Sequence, residues 1–405
     1  MTAAQPREIA VLGGGLAGLS LVLQLLDRGV DARITIVEPR THYTDDRTWC
    51  FWDTDDHPFR HLIADRWPVW HVHDRRQAYA CGDGTYAYAR LSSGDVYACA
   101  LARIAQASNV RLWRGTRVQR LAGRRVHTDA GMLDVDLVYD GRPPRLPETA
   151  AGPRLLQQFV GRRVRTDRDV FDPASCTLMD FRLPQDDGIA FLYVLPQSPR
   201  EALVEATVFA AQRIPAGRLD GMLDDALAAR IDAPVETLGA ERGAIPMVPN
   251  LGEASPAPGV IPIGTRAGAP RGSTGYAFLP IQRHSRALAE RVARGDPGPV
   301  KMRGRLTDWL DRVFLARLID RPDAAAADFG RLFGGVPSPR LVRFLMEAGG
   351  PVDHLRVMAA LPTGAFLYHA AAVSLPPALR PRPRVPAPNP ADPDPAEPES
   401  PVPRS

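Results

Sequence analysis

A glycine-rich stretch near the start of the chain constrains the fold more than any other feature. Residues 13–18 are Gly-Gly-Gly-Leu-Ala-Gly, with an apolar run at 8–12 before them and apolar residues at helical spacing after them. A second apolar run, 32–37, ends in Glu38. Strand, glycine turn, helix, strand and acid in this order indicate a Rossmann-like dinucleotide-binding unit. A glycine-rich turn without a ligand is the alternative.

Each part of this fingerprint has a predicted task. Gly13 permits the turn, Gly15 lets the backbone approach a pyrophosphate, and Gly18 lets the helix pack close to the strand. The helix N-terminus offers N–H groups and a positive dipole end to phosphates. A carboxylate at Glu38 can accept a hydrogen bond from a ribose hydroxyl. The residues predicted to bind the cofactor here are Gly13, Gly15, Leu16, Ala17, Gly18 and Glu38.

Composition is that of an ordinary soluble protein with room for two or three domains. The chain has 405 residues, of which 24% are charged and 45% hydrophobic. A net charge of +4, spread along the chain, does not favour a nucleic-acid partner. Four cysteines without a CxxC pair, and no secretory signal before the first strand, predict a reducing cytoplasm. No metal site is indicated, and no run of about twenty apolar residues predicts a membrane span.

Proline-rich and glycine-rich segments suggest the domain organisation. Twelve of the last thirty residues are proline, and this tail has too few large apolar residues to fold. We predict a discontinuous nucleotide domain (1–148 and 236–300), a substrate domain (149–235), a C-terminal helical region (301–375) and a disordered tail (376–405).

The segment 45–53 is unusually aromatic. It contains Trp49, Phe51 and Trp52, bracketed by aspartates. We interpret it as part of the loop that begins at Pro39-Arg40. So aromatic a loop either packs into the core or lines an apolar ligand site, and the residues alone leave both readings open.

A strand meander is predicted between residues 110 and 138, with strands at 110–113, 118–121, 125–128 and 132–138. Its last strand continues into Asp140-Gly141-Arg142. An apolar strand with this ending suits the carboxyl edge of a parallel sheet, where nucleotides bind. A turn of purely structural value is the alternative.

A hairpin is predicted from strands 189–195 and 202–209, joined by a six-residue loop. Alternation places Glu205 and Thr207 on one face of the second strand, together with Leu203 and Phe209. Both faces are largely apolar, so the strand is predicted to be interior. Burial raises the pKa of a carboxyl, and a neutral acid can donate a proton. A solvated face for Glu205 is the alternative.

A second strand, glycine-rich loop and helix follow at 260–294. Gly264 ends the strand, and Gly275 precedes Tyr276 in the loop. We expect this stretch to approach the same cofactor as the first fingerprint. Further helices are predicted at 306–318, 323–333 and 338–347. The last has Ser338 as N-cap and a basic, apolar character that suits either a membrane surface or a core with a rim.

Seven motifs follow one another along the chain: Gly13 to Gly18, Thr48-Trp49-Cys50-Phe51, Asp140-Gly141-Arg142, Glu205-Ala206-Thr207, Ile245-Pro246-Met247, Thr274-Gly275-Tyr276 and Leu355 to Pro362. Their order resembles the lycopene beta-cyclase family of bacterial carotenoid biosynthesis. The resemblance covers nearly the whole chain, from Ile9 to about Ala372. Two positions depart from the family pattern: Trp52 stands where the family often has histidine, and Thr265 follows Gly264 where flavoproteins commonly carry a carboxylate.

The resemblance implies an α/β fold of the flavoprotein monooxygenase type: a Rossmann-like FAD-binding domain, a β-rich substrate domain and C-terminal helices. It implies proton-initiated, non-redox cyclisation of the ends of lycopene and related acyclic carotenoids, with reduced FAD and with NAD(P)H as electron donor. The implied reacting residues are Glu205 as acid or cation stabiliser, Thr207, Trp49 and Phe51. The implied further cofactor contacts are Asp140, Arg142, Gly264, Gly275 and Tyr276.

The implied location is the cytoplasmic face of the cell membrane, as a peripheral protein that contacts lipid through the helices between Pro339 and Leu361. Two other functions use the same fingerprint. One is an FAD-dependent monooxygenase or desaturase of a lipid. The other is a carotenoid-binding flavoprotein without catalytic activity, which has no need of an acid in an apolar strand.

Overall fold

The computed structural model describes residues 7–144, 154–249 and 257–375. The predicted tail at 376–405 and the predicted boundary at 148/149 lie outside the described residues. The strands are β1 (Glu8–Leu12), β2 (Arg33–Glu38), β3 (Thr48–Trp52), β4 (Asp65–Trp67), β5 (Val69–His73), β6 (Ala78–Cys81), β7 (Tyr88–Ser92), β8 (Val110–Arg114), β9 (Val118–Ala122), β10 (Arg125–Thr128), β11 (Gly131–Asp134), β12 (Leu137–Asp140), β13 (Leu155–Thr166), β14 (Ser175–Asp180), β15 (Ile189–Pro196), β16 (Glu201–Ala210), β17 (Val235–Met247) and β18 (Val260–Pro262). The helices are α1 (Leu16–Asp27), α2 (Ser93–Ala105), α3 (Ala216–Arg230), α4 (Phe278–Ala293), α5 (Arg305–Asp320), α6 (Ala325–Gly335), α7 (Ser338–Leu345), α8 (Pro351–Ala360) and α9 (Thr363–Ser374).

A parallel sheet of order β18-β12-β1-β2-β8 forms the first layer. Its central strand β1 pairs in parallel with both β2 and β12, so Ile9 lies between Ile34 and Leu137. Helix α1 packs on the sheet beside α2 and α4, while β9 to β11 cover the other face with Val126 and its neighbours. The carboxyl ends of the parallel strands therefore meet at one edge, which begins at the glycine turn after β1.

Two predictions made from local pattern are wrong. The aromatic segment 45–53 is not a loop: Thr48–Trp52 forms β3, which pairs antiparallel with β7. The predicted strand 132–138 is two strands in different sheets, because β11 pairs with β10 and β12 joins the parallel sheet. The chain changes sheets at Asp136, whose carboxylate accepts hydrogen bonds from the backbone N–H groups of residues 7 and 8.

A second, seven-stranded sheet has the order β17-β13-β16-β15-β14-β5-β6. The predicted hairpin is confirmed as β15 and β16. The alternation predicted for β16 is confirmed too: Val204 and Ala206 pack with Leu223 of α3, and Leu203 and Phe209 belong to the main core on the opposite face. This sheet also contains β5, β6 and β17, which lie mainly outside the range 149–235 predicted for the substrate domain. The domain boundaries themselves stay a prediction.

Helices α5 to α9 pack over the main-core face of the second sheet, where Phe329 of α6 stacks on Phe181. Ser338 is not the N-cap of α7: it is the first helical residue, and its hydroxyl accepts a hydrogen bond from the Gly82 N–H at 2.9 Å. Tertiary contact with the strand-end loop thus replaces the predicted local cap.

Among residues 7–144, 154–249 and 257–375, no single helix is long and apolar enough to cross a bilayer, although α8 and α9, bent by 114°, reach that length and apolarity as a pair.

Candidate functional site

Two close approaches and one open position shape the glycine turn. Gly13 has a φ of +101°, and a Cβ there would lie 3.4 Å from the carbonyl of Gly141. A Cβ on Gly18 would lie 2.0 Å from the Gly13 carbonyl oxygen, so α1 can approach β1 this closely only with glycine. Gly15, the N-cap of α1, has nothing within 4 Å of a Cβ position, and no side chain caps the helix. The N-terminus of α1 therefore faces open space, as a phosphate site requires.

Glu38, at the end of β2, is buried and supports the turn. Its carboxylate accepts hydrogen bonds from the Gly14 N–H at 2.7 Å and from the Arg40 guanidinium at 2.9 Å. Burial alone would raise its pKa, but the bonds from Arg40 and Gly14 outweigh burial, and the pKa of Glu38 is lowered. Its role toward a ribose stays a prediction, in which the ribose hydroxyl shares the carboxylate with Arg40.

The Asp140-Gly141-Arg142 turn lies beside the first glycine turn. Arg142 binds the buried Asp140 carboxylate through two hydrogen bonds, of 2.8 and 2.7 Å. Gly264, with a φ of +60°, would place a Cβ 2.8 Å from the Cβ of Ala17 in the first turn of α1. The structure thus brings all predicted cofactor residues of the first glycine turn, Asp140, Arg142 and Gly264 to one edge of the parallel sheet, which we name the phosphate edge after its predicted ligand.

The loop before α4 connects this edge to the second sheet. Gly275 has a φ of +71°, and a Cβ there would lie 2.5 Å from Gln157 Oε1, a buried oxygen with no partner among the described residues. Tyr276 is hydrogen-bonded to Tyr88 and meets Trp52 edge to face at 5.5 Å. Gly275 and Tyr276 therefore lie nearer the second sheet than the phosphate edge.

The two faces of β3 divide its aromatic residues. Phe51 stacks on Phe278 of α4 at 4.3 Å, and Trp49 contacts Phe278 and Tyr97 at 6.0 Å. The opposite face carries Thr48, Cys50 and Trp52, and the Thr48 hydroxyl reaches Glu241 of β17. Trp49 and Phe51 consequently point toward α4 and away from the second sheet, and their part in stabilising a cation stays a prediction.

Glu205 lies in the interior of the second sheet, on the face that carries the main core. The Thr207 hydroxyl donates a 2.6 Å hydrogen bond to its carboxylate. Desolvation by the surrounding protein, and then the nearby charge of Glu241, raise the pKa of Glu205 to about 8, against the lowering by Thr207. The residue keeps part of its surface accessible, although protein deeply surrounds the carboxyl group. At neutral pH this group is a protonated acid.

An apolar pocket begins one cross-strand neighbour from Glu205. Tyr193 pairs with Glu205 across β15 and β16, and Tyr193, Phe209 and Tyr276 line the inner end of the pocket. The cavity holds about 180 Å³ of free space, similar to engineered apolar cavities of ~150 Å³ that stay dry and bind benzene. Most of its walls come from aliphatic and aromatic side chains of α5 to α9.

The polar groups in the pocket wall are paired with one another or with backbone carbonyls. Arg271, only 1% exposed, donates to Asp311 at 3.0 Å and to the Phe344 carbonyl at 2.7 Å, and Ser273 donates to Asp311 at 2.7 Å. A buried ion pair with satisfied hydrogen bonds leaves no free charge in the wall. The pocket can therefore hold a hydrocarbon end beside a proton donor, away from water.

Sequence reasoning missed the groups that complete this site. Tyr193 and the pair of Arg271 and Asp311 had no local signal, and neither did Glu241, which faces Glu205 from a strand 36 positions later in the chain. Strand register aligns Tyr193 and Glu241 with the acid, and tertiary packing pairs the loop residue Arg271 with Asp311 of α5. Glu241 stands four residues before the Ile-Pro-Met landmark, but nothing in the sequence places it near Glu205.

Known solved structures share this fold. A geranylgeranyl bacteriochlorophyll reductase-like protein from Thermoplasma acidophilum matches with a TM-score of 0.59 at 13% identity, over 90% of this chain and 98% of its own. A flavin-dependent brominase matches with a TM-score of 0.52 at 12% identity, over 90% of this chain and 98% of its own. The fold is thus the Rossmann-like α/β fold of the flavoprotein monooxygenases and halogenases, as predicted.

Sequence comparison identifies the family. A lycopene beta-cyclase from a Paracoccus species is 29% identical over 388 residues, which are 88% of this chain and 94% of the relative. The family model described as lycopene cyclase protein matches residues 8–371, that is, nearly all the described elements from β1 to α9. The resemblance drawn from the motifs is therefore confirmed, and the chain belongs to the lycopene cyclase family.

Proposed function

We propose that the protein is a lycopene beta-cyclase, an isomerase that closes the acyclic ends of lycopene into beta rings and so forms beta-carotene by way of gamma-carotene. The observation that carries this proposal is Glu205, a carboxyl that is protonated at neutral pH beside an apolar pocket. A redox flavoenzyme acting on a lipid does not need such a proton donor, whereas cyclisation begins with one. Family membership supports carotenoids as the substrate class.

The proposed cofactor is reduced FAD, and the observed cradle fits it. The uncapped N-terminus of α1, the open space at Gly15 and the close backbone approach at Gly264 suit a dinucleotide. When bound, the flavin supplies a negative charge or a proton-transfer group beside a carbocation, with NAD(P)H as the proposed electron source. The residues that would hold it are Gly13, Gly15, Leu16, Ala17, Gly18, Glu38, Asp140, Arg142, Gly264, Gly275 and Tyr276.

Glu205 acts first in the proposed reaction. Its carboxyl proton forms a C–H bond at the terminal double bond of the substrate and leaves a tertiary cation. The neighbouring double bond attacks this cation and closes the ring, and loss of one proton gives the product. One proton is given and one is lost, so product and substrate have the same mass.

The rest of the site protects this cation. Apolar walls exclude water, which would otherwise trap it as an alcohol. The rings of Tyr193 and Tyr276 line the pocket and can stabilise positive charge, as can the Glu205 carboxylate left after proton transfer. Thr207 orients that carboxylate through its hydrogen bond.

The lipid substrate is proposed to enter between α8 and α9, where the protein contacts the cytoplasmic face of the membrane. Met358 and Leu367 line the pocket and are 44% and 64% exposed, so they lie at its mouth. Leu355, beside them on α8, is 62% exposed. Leu341, Val342 and Leu345 of α7 are buried, and the arginines of this helix are paired with Asp353. The exposed apolar surface therefore favours α8 and α9 over α7 as the contact with lipid.

Flotation tests the membrane contact. The intact protein is expected to float with liposomes, and Leu355→Glu combined with Leu367→Glu is expected to leave most of it unbound. Met132→Glu is the matched control, because Met132 is 56% exposed on β11, outside the pocket mouth. Equal flotation of all three proteins would remove α8 and α9 from the proposal.

Anaerobic incubation of the protein with lycopene and chemically reduced FAD tests the activity. Ring formation without a change in pigment mass is expected. A mass change would instead identify an oxidoreductase, and unchanged lycopene with pigment retained by the protein would identify a binder.

A further inference from the structure

A row of four residues crosses the second sheet on the side of the apolar pocket. Strand register aligns Tyr193 of β15 with Glu205 of β16, Glu205 with Gly161 of β13, and Gly161 with Glu241 of β17. Directly aligned residues on neighbouring strands project to the same face of a sheet. Two carboxyl side chains therefore flank a position that has no side chain.

Gly161 leaves room for the two carboxyls to approach each other. A Cβ at this position would lie 3.2 Å from Cγ of Glu241 and 3.5 Å from Cβ of Glu205, with Leu203 Cδ1 also at 3.2 Å. The φ of Gly161 lies outside the left-handed region, so the backbone does not require glycine here. The requirement is space between the two glutamates.

The two carboxyls have matched partners. Thr207 donates to Glu205 at 2.6 Å, and Thr48 donates to Glu241 at 2.9 Å. Neither glutamate forms an ion pair within the described part of the chain. Burial raises the pKa of both groups, and the charge of Glu241 is the second cause for Glu205. Two carboxyls so placed cannot both ionise readily.

The charged and titratable groups around the pair come from several elements. Cys50 of β3 and Tyr193 of β15 interact with Glu205, and burial raises the pKa of each of them well above its usual value. At Glu241, the charge of one aspartate raises the pKa and the charges of two arginines lower it; these are Asp45, Arg90 and Arg47. The thiol and the phenol are neutral, so the charge that acts on Glu205 is that of Glu241.

We infer that Glu241 is the positioning partner of Glu205: the two carboxyls, brought together across Gly161, hold one proton between them, and the ionised Glu241 keeps that proton on Glu205. This inference rests on the proposed function only in what the proton is used for. The pairing itself is a property of the free protein. It adds to the site a residue that acts through its charge on the acid and not on the reacting double bond.

Glu241→Gln tests the pair. Without the like charge, Glu205 ionises at lower pH, so the alkaline limit of cyclase activity is expected to move down by about one pH unit. Glu236→Gln is the matched control, because Glu236 lies on the same strand, is exposed and pairs with Arg165 outside the site. The control is expected to keep the wild-type pH profile.

Infrared titration of the protonated carboxyl band separates this inference from the proposed function. The band lost in Glu205→Gln is assigned to Glu205, and its midpoint is followed in the flavin-loaded protein without substrate. A lower midpoint in Glu241→Gln supports the pair even if the protein cyclises nothing. The lack of cyclisation would refute only the proposed function. An unmoved midpoint overturns the pair even in an active cyclase.

A second variant keeps the test open if Glu241→Gln does not fold. Thr48→Val removes the donor that favours ionised Glu241, so Glu241 takes the shared proton more often and Glu205 ionises at lower pH. The Glu205 midpoint is therefore expected to fall in this variant as well. A midpoint equal to that of the wild type would contradict proton sharing.

Discussion

The phosphate edge of the parallel sheet and the carboxyl row of the second sheet (Tyr193, Glu205, Gly161 and Glu241) both bury acidic side chains. They differ in the partners that these acids have. At the phosphate edge, Glu38 is paired with Arg40, and Asp140 with Arg142, so both carboxylates have a counter-charge. In the carboxyl row, the hydrogen bonds that Glu205 and Glu241 accept from described side chains come from threonine hydroxyls.

The difference in partners sets the protonation state. Hydrogen bonds from Arg40 and Gly14 outweigh the burial of Glu38 and lower its pKa, which fixes a charge that holds the turn. Burial and the charge of Glu241 raise the pKa of Glu205 to about 8, which keeps a transferable proton. The same residue type is thus a structural anchor in one sheet and a candidate acid in the other.

The largest expected effect comes from removing the acid. Glu205→Gln keeps the size of the side chain but has no carboxyl proton to give, so cyclisation should fall by about 10²–10⁴-fold, the usual contribution of a general acid. Pigment chromatography measures the loss, and flavin absorbance checks that the cofactor is still bound. Glu201→Gln, on the same strand but paired with Arg165, is the control that should retain activity. Near-normal activity of Glu205→Gln would show that Glu205 is an ordinary core residue and not the acid.

The next effect concerns the phosphate edge. Gly15→Val puts a side chain into space that is empty in the structure, so the protein should fold but lose flavin, with an affinity lower by about a hundredfold or more if two phosphate hydrogen bonds are blocked. Gly217→Val is the matched control on α3, at an exposed glycine with equally open surroundings. Flavin content after gel filtration is the measurement. Yellow, flavin-loaded Gly15→Val would refute the proposed cradle.

These two regions also differed in how far the sequence could predict them. The glycine turn is a local motif: strand, turn, helix and acid follow one another within about thirty residues, so the order of residues already specifies the geometry. The interior position of Glu205 could be predicted too, since alternation along β16 depends only on its own residues.

The rest of the site depends on strand register, which one sequence does not specify. Glu205, Gly161 and Glu241 come from three strands of a seven-stranded sheet, and their alignment is set by packing of the whole face. Residues 48–52 were wrongly predicted as loop, because pairing with β7 decides their conformation. A loop has no alternation of faces, so Trp49 and Phe51 could not be separated from Trp52 in advance.

A smaller effect is expected on the stability of the protein, to which the unpaired Glu205 and the paired Glu38 contribute differently. Because the pKa of Glu205 is about 8 in the folded state and 4.5 ordinarily, the folded state binds the proton more tightly, and this stabilisation is lost as pH rises from about 4.5 to 8. Relative to the wild type, Glu205→Gln should therefore gain stability over that range, by up to a few kcal/mol at ~1.4 kcal/mol per pKa unit.

Urea unfolding at about pH 5 and about pH 9 measures this difference. Arg40→Met is the counterpart at the phosphate edge, where removal of the counter-charge leaves Glu38 buried and should destabilise the protein at the higher pH. If Glu205→Gln were equally destabilising at both pH values, the desolvated acid would not be a cost to the fold, and the contrast between the two regions would be lost.

The smallest and most discriminating effect uses the two threonines. Thr207 favours the ionised form of Glu205, so Thr207→Val should move the alkaline limit of activity to higher pH. Thr48 favours the ionised form of Glu241, so Thr48→Val should move the same limit to lower pH. Each shift is expected to be about half a pH unit, since one neutral hydrogen bond contributes about 1 kcal/mol. Activity profiles of the two variants and of the double variant measure both signs. An unmoved limit in Thr48→Val would mean that the two carboxyls titrate independently, whereas opposite shifts that partly cancel in the double variant are what one proton shared across Gly161 requires.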